Sequence, residues 1–359
     1  MADHPEVLIL AGARTPFAEW SGGKTGAGRP GGALKTLSAL ALGSIALKGA
    51  LERSKVEPKD LDHVVFGNAL QTSADAIYGA RHVSLGAGVP QEVPALSVAR
   101  ICGTGIQSVV TGAQLIQLGE AKLVGAGGTE NLSQAPHIVR GLRGGPKLKH
   151  MEFEDYFLAG LYDPIAGLMM AQTAEVVSKK YGISRKEQDL YALRSCKEAV
   201  RAQKEGLFKE EIVPVVLEGR KPRTISEDDH CVPDSTEEKL AALRPVFSKD
   251  GFVTAGNASG VVDGAGAVVL SDAATAKSKG LPVLGKIRAW ASTGVDPREM
   301  GMGPVSAVSG ALKKAGLKMD DVDIIEINEA FAGQYLAVEK ELGNPREKTN
   351  VNGGAIAIG

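Results

Sequence analysis

Cys102 is the residue in this 359-residue chain best placed to act as a nucleophile. It stands in Ile101-Cys102-Gly103-Thr104-Gly105, where the apolar run Leu96-Ser97-Val98 gives way to a helical pattern from Gly103 to Leu118. A thiol at the start of a helix faces the positive end of the helix dipole, which favours the thiolate and lowers the pKa. Gly103 and Gly105 permit a sharp turn and close approach of a substrate. The alternative for any lone cysteine is a buried structural thiol. Cys196, in the helical Leu193-Arg194-Ser195-Cys196-Lys197, and Cys231, in the polar Asp229-His230-Cys231-Val232, read as non-catalytic. The His230-Cys231 pair has no companions at metal-ligand spacing, so no metal is expected. The sequence has no Walker A loop and no well-placed dinucleotide fingerprint.

A second group of residues offers amides and flat backbone. Asn328-Glu329-Ala330-Phe331 closes the apolar run Ile324–Ile327. The carboxyl end of a strand is where α/β sheets place ligand contacts. An amide there positions a water or donates to a developing oxyanion, whereas a helix cap is the competing reading of Asn328. Gly256-Asn257-Ala258-Ser259-Gly260, Asp263-Gly264-Ala265-Gly266 and Asn352-Gly353-Gly354-Ala355 read as ordinary turns or as a floor for a narrow, chain-like ligand. The histidines are 4, 63, 82, 137, 150 and 230. None has an obvious catalytic context, although a thiol nucleophile normally wants a base.

Short apolar runs alternating with longer helical patterns are the signature of βα units around a sheet. Strands are expected at Val7–Leu10, Val64–Phe66, Leu96–Val98 and Ala121–Val124, and helices at Leu34–Leu51, Tyr78–Leu85 and Gly103–Leu118. The order recurs near the C-terminus, with strands at Leu284–Ala289, Ile324–Ile327 and from Thr349, and a helix at Val305–Ala315. Asp60-Leu61-Asp62-His63-Val64-Val65 resembles Asp321-Val322-Asp323-Ile324-Ile325-Glu326, so an internal duplication is expected. A charge-richer insertion spans about 131–250, with Arg140, Arg143, Lys147 and Lys149 in a loop and helices at Ala171–Tyr181 and Arg185–Glu205. Its stretch Arg220–Asp234 reads as polar and turn-like, and Ala267–Leu270 returns as a strand.

Lys plus Arg total 41 and Asp plus Glu 42, a net charge of -1, which argues against a nucleic-acid binder or an acidic tail. With 43% hydrophobic and 23% charged residues, global disorder is excluded. Three cysteines do not make a disulfide scaffold and fit a reducing compartment. Met1–Glu6 carries no basic n-region, and the apolar stretches fall short of the ~20 residues that span a bilayer. A cytoplasmic protein without membrane or nucleic-acid partners is therefore expected.

Together these residues resemble the thiolase family, in particular its biosynthetic acetyl-CoA acetyltransferases. The likeness runs through Arg14-Thr15-Pro16-Phe17, Val65-Phe66-Gly67-Asn68, Cys102-Gly103-Thr104-Gly105 and Ala126-Gly127-Gly128-Thr129-Glu130-Asn131-Leu132-Ser133. It continues through Thr173-Ala174-Glu175, Thr254–Gly260, Asn328–Phe331 and Asn350–Ala355. The resemblance implies an α/β thiolase fold, two βαβαβαββ halves in a five-layered αβαβα core. Its expected parts are 1–130 with 251–278, a loop domain at 131–250 over the coenzyme A site, and 279–359. It implies ping-pong acyl transfer between acetyl-CoA, acetoacetyl-CoA and coenzyme A with no further cofactor, in a homodimer or homotetramer. Cys102 would take the acetyl group, and Asn328 would hold a water in the oxyanion hole. Leu161, Phe247, Ala255 and Ser259 would line the coenzyme A channel, with Met170 on its floor.

Several positions depart from the family pattern. Met169 stands where the family has a substrate-touching histidine, Val176 where it has asparagine, and Thr25–Gly32 is an insertion. Asp229–Ser235 offers no clear match for a basic residue that meets the coenzyme A phosphates in some members. The family continues beyond Gly359 to a histidine that activates the nucleophile and to a second cysteine that serves as acid/base. The natural protein is accordingly expected to be longer, and residues 1–359 alone to be inactive and poorly soluble. A related condensing enzyme and a non-catalytic acyl-CoA-binding homologue are the competing readings.

Overall fold

The computed structural model describes residues 4–20, 32–145 and 150–359. Most of the Thr25–Gly32 insertion, Lys147, Lys149 and the first three residues lie outside them. The chain divides into two compact units. One comprises Met1–Ala135, Phe208–Asp229 and Val262–Arg288, the other Pro136–Leu207, His230–Val261 and Ala289–Gly359. The expected 131–250 segment is thus shared between them, and 251–261 goes with the second.

The first unit is built on a seven-stranded mixed sheet. Its order is Gly285–Lys286, Val7–Arg14, Val262–Asp272, Leu123–Glu130, His63–Gly67, Ala95–Val98, with Ala18–Glu19 paired to Val262–Asp272. The last three strands are parallel, with Val65 facing Ala126 on one side and Leu96 on the other. The helix Ala39–Ser54 covers the sheet: Leu40, Leu42, Leu47 and Leu51 are buried with Leu10, Val64, Phe66 and Val269. Ser38 caps this helix by accepting from Ala41 N–H, satisfying one of its orphan donors. The helix Thr104–Gln117 lies against the strand His63–Gly67 at Gly67, where any Cβ would sit 1.9 Å from Thr104 Cγ2. Only glycine allows that approach, and it sets the height of the Cys102 turn over the sheet.

The second unit is mainly helical. Met170–Tyr181, Arg185–Glu205, Gly303–Ala315 and Ala332–Leu342 are its long helices. Tyr191, Tyr335, Leu336, Val338, Ile325, Ile327 and Ile356 lie in its core. Arg185–Glu205 starts in a capping box between Ser184 and Glu187 and stops at Gly206, φ 76°, the pairing of signals that bounds a helix in sequence.

The duplication recurs only in part. Met319–Asp321 forms a 3₁₀ turn before an extended segment, as Pro58–Asp60 does in the first unit. Ile324–Ile327 and the stretch from Thr349, however, are not regular strands. They share one parallel bridge between Ile325 and Thr349, closed by Ile325 N–H to Lys348 C=O and Asn350 N–H to Ile325 C=O, each 2.9 Å. Of Leu284–Ala289, only Gly285–Lys286 is a strand. Among the described residues, the sheet of the first unit is the only one with more than two strands. Arg220–Asp234 is also more ordered than expected, since Arg223–Ile225 pairs with Val215–Leu217.

Candidate active site

In the first unit, Cys102 lies in the 3₁₀ turn Ile101–Gly103, two residues before the helix Thr104–Gln117. Thr104 closes the turn, its Oγ1 accepting from Arg100 N–H at 2.8 Å and donating to Ile101 C=O at 2.6 Å. Ile101 is held at φ 47°, in a left-handed region that a β-branched side chain enters at a cost of about 1–3 kcal/mol. Such strain marks functional turns, and here it projects the next side chain, Cys102, into solvent.

The thiol is not depressed as the helix dipole alone would have it. Although Cys102 is exposed, enough protein surrounds it that desolvation pushes the thiol above its ordinary range; its own backbone N–H opposes, and the Glu130 carboxylate adds to the rise. The helix end thus does not supply the thiolate unaided, and Cys102 depends on a proton acceptor to react.

Glu130 went unassigned in sequence. It ends the strand Leu123–Glu130, and its carboxylate accepts from the N–H groups of Ala69 and Leu70. Burial pushes it up to about 7, against the pull of those amides and of the Asn68 side chain. A carboxyl raised above its unfolded value of about 4.3 contributes stability that is full below that pH and lost as pH rises through about 7. Glu130→Gln is expected to raise the melting temperature above pH 7 while leaving it little changed near pH 4. The same change should move alkylation of Cys102 to lower pH; iodoacetamide rates that keep the parent profile would contradict this placement.

In the second unit, three motifs meet through the backbone. Ser259 N–H donates to Ala330 C=O at 3.0 Å, Gly260 N–H to Ala355 C=O at 2.9 Å, and Ala332 N–H to Asn257 C=O at 2.9 Å. The loop Thr254–Gly260 is held from within. Asn257, fully buried, accepts from Thr254 N–H at 2.8 Å and donates to Phe252 C=O and Asp189, each at 2.9 Å. Glu175 clamps the approach to the loop by accepting from the N–H groups of Phe252 and Val253.

Leu161 and Met170 are also brought together, with Met170 N–H donating to Leu161 C=O at 2.9 Å across the hairpin that carries Met169. The helix starting at Met170 packs Ala171 and Ala174 on Val253, Ala258 and Phe331. Phe247 follows Val246, whose N–H donates to Val253 C=O, while Ala255 is exposed and Ser259 half-buried. The six residues read as coenzyme A contacts therefore belong to one neighbourhood of this unit.

Asn328 is exposed between buried Ile327 and Glu329. It does not cap a helix: Ala332–Leu342 has Phe331 in the cap position. The capping alternative is excluded, and the amide is free for other work. His230 packs its ring on Gly260 in this unit. In the first unit His82 stacks on Tyr78 at 4.6 Å with Asp75 at 3.9 Å.

Comparison with known proteins places these motifs in one lineage. The family model "Thiolase, N-terminal domain" matches residues 7–274 and "Thiolase, C-terminal domain" residues 281–359. The mitochondrial 3-ketoacyl-CoA thiolase of Homo sapiens is 48% identical over 355 residues, 98% of this chain and 87% of that protein. An acetyl-CoA acetyltransferase of Cupriavidus necator is 44% identical over 342 residues, 94% of this chain and 87% of its own. The crystal structure of the human mitochondrial 3-ketoacyl-CoA thiolase in complex with CoA superimposes with a TM-score of 0.93 at 48% identity, covering 99% of this chain and 87% of that one.

Proposed function

This chain belongs to the thiolase family, and from that premise we propose that it is an acyltransferase that interconverts two acetyl-CoA with acetoacetyl-CoA and coenzyme A. The observation that carries the reading is Cys102, exposed on a strained turn before a long helix. The Cys102 sulfur attacks the thioester carbonyl of acetyl-CoA, the carbon–sulfur bond to coenzyme A breaks, and the departing thiolate takes up a proton. A second acetyl-CoA then gives a methyl proton to a general base, the role that the family resemblance assigns to a second cysteine. The resulting carbanion bonds to the acetyl carbon, and Cys102 leaves as thiolate. Asn328 donates, directly or through a water, to the oxygen on which charge develops. Leu161, Met169, Met170, Phe247, Ala255 and Ser259 hold the coenzyme A thioesters. No cofactor is called for, because the thioester itself supplies the activated acyl group.

Thiolysis of longer 3-ketoacyl-CoA is a second reading, favoured by the 48% identity to the human 3-ketoacyl-CoA thiolase. Assaying kcat/KM of the full-length enzyme over 3-ketoacyl-CoA of increasing chain length separates the two. A steep preference for acetoacetyl-CoA supports the first, and a maximum at longer chains overturns it.

A homodimer or homotetramer in the cytoplasm belongs to the same proposal. Among the described residues no helix is long and apolar enough to cross a membrane. The strand Ala95–Val98 is the last of its sheet, with exposed Leu96 on it and exposed Ile77, Ile101 and Ile106 in the same unit. An open apolar edge is what a second copy would cover. Leu96→Lys is expected to yield monomers by light scattering after gel filtration; an unchanged mass would count against this edge as the interface.

A further inference from the structure

The residues flanking Asn328 are fixed by polar groups that packing alone does not require. The Asn350 side chain takes both polar groups of Ile327, accepting from its N–H and donating to its C=O at 2.9 Å each. Asn350 does this from a left-handed backbone, φ 48°. On the other side Glu329 is 0% exposed. One carboxylate oxygen accepts from Tyr191 OH at 2.6 Å and Asn350 Nδ2 at 3.1 Å. The other accepts from Ser195 OH at 2.7 Å and Ile356 N–H at 3.1 Å.

No cation among the described residues is bonded to this carboxylate. A buried charge of this kind is costly unless every lone pair is met. Four donors from three parts of the unit converge to meet them. The chain is also threaded to allow it, since a Cβ on Gly354 would lie 2.4 Å from the Glu329 carboxyl carbon. Tyr191 stays a neutral donor because burial, with the carboxylate beside it, pushes its ionisation far above the usual phenol range. It is braced by stacking on Tyr335 at 4.1 Å.

We propose that Glu329 is a positioning residue for the reaction: its buried carboxylate, anchored by Tyr191, Ser195, Asn350 and the Ile356 amide, fixes the direction in which Asn328 presents its side-chain amide. The proposal rests on the oxyanion reading of Asn328 above. A turn held only by packing would leave Asn328 free to rotate. One held on both flanks delivers the amide with little reorganisation as charge develops.

The test is a double-mutant cycle in the full-length enzyme, following kcat and KM for thiolysis of acetoacetyl-CoA. Misplacing a reacting group by about 1 Å costs roughly 10²-fold. Glu329→Gln is therefore expected to lower kcat by about ten- to a hundredfold with KM little changed, and to add almost nothing in the Asn328→Ala background. Equal losses in both backgrounds would overturn the proposal, because the carboxylate would then act elsewhere. A lower melting temperature with unchanged kcat per folded molecule would also overturn it. Should Asn328→Ala alone leave kcat unaltered, the oxyanion reading itself fails and the proposal falls with it. Tyr191→Phe removes one anchoring donor and serves if Glu329→Gln does not fold. Its smaller loss in kcat must likewise vanish in the Asn328→Ala background.

Discussion

Cys102→Ala is expected to abolish acyl transfer, with a loss on the order of 10⁶-fold, the scale seen when a covalent nucleophile is removed. No other group replaces the lost bond-forming atom, so binding and oxyanion contacts alone remain. Cys102 is exposed, so the truncation opens no cavity in the core, and the melting temperature should hold. Cys196 and Cys231 offer no substitute. Both are buried, in an apolar cluster with Ala199 and Ala357. Iodoacetamide should therefore label Cys102 first, as peptide mapping of the alkylated protein would show. Activity that survives the loss of Cys102 would overturn the assignment.

Asn328→Ala carries the next largest effect. Removing one oxyanion donor costs about 10²–10³ in rate, or about 3–4 kcal/mol of transition-state stabilisation. The loss should fall on kcat, with the melting temperature little changed, because the side chain is exposed and caps no helix. Turnover and thermal unfolding measured on the same preparation separate this from a structural role. A large drop in melting temperature with normal turnover of the folded fraction would contradict it.

What could be read from sequence was local. The helix Arg185–Glu205 was legible because its capping box and terminal glycine lie within or beside it. The turn that carries Cys102 was legible because a strand, a glycine turn and a helix pattern follow one another. The strand at Val124 runs on to Glu130, beyond what its apolar run suggested, through Gly125, Gly127 and Gly128. Those glycines hide the strand pattern, yet a Cβ on Gly127 would meet Gly266 C=O at 2.3 Å.

The supporting polar groups were illegible for another reason. Glu329 finds Tyr191 at a separation of 138 residues and Asn350 at 21. Glu130 finds Ala69 at 61. Spacing along the chain carries no trace of such partners. Only the fold shows that these carboxylates are buried and what satisfies them. The helix behind Cys102 is legible in sequence, whereas Glu130 and the surrounding protein, which raise the thiol, are not.

The proposed reaction passes the acyl group through Cys102. Its most direct test is to mix the full-length enzyme with acetyl-CoA, quench in acid and map the acetylated peptide by mass spectrometry. A single acetyl group is expected on the peptide bearing Cys102, released when coenzyme A is added and absent from Cys102→Ala. Acetyl groups found on Cys196 or Cys231 instead, or full turnover with no acetyl-enzyme formed, would contradict it.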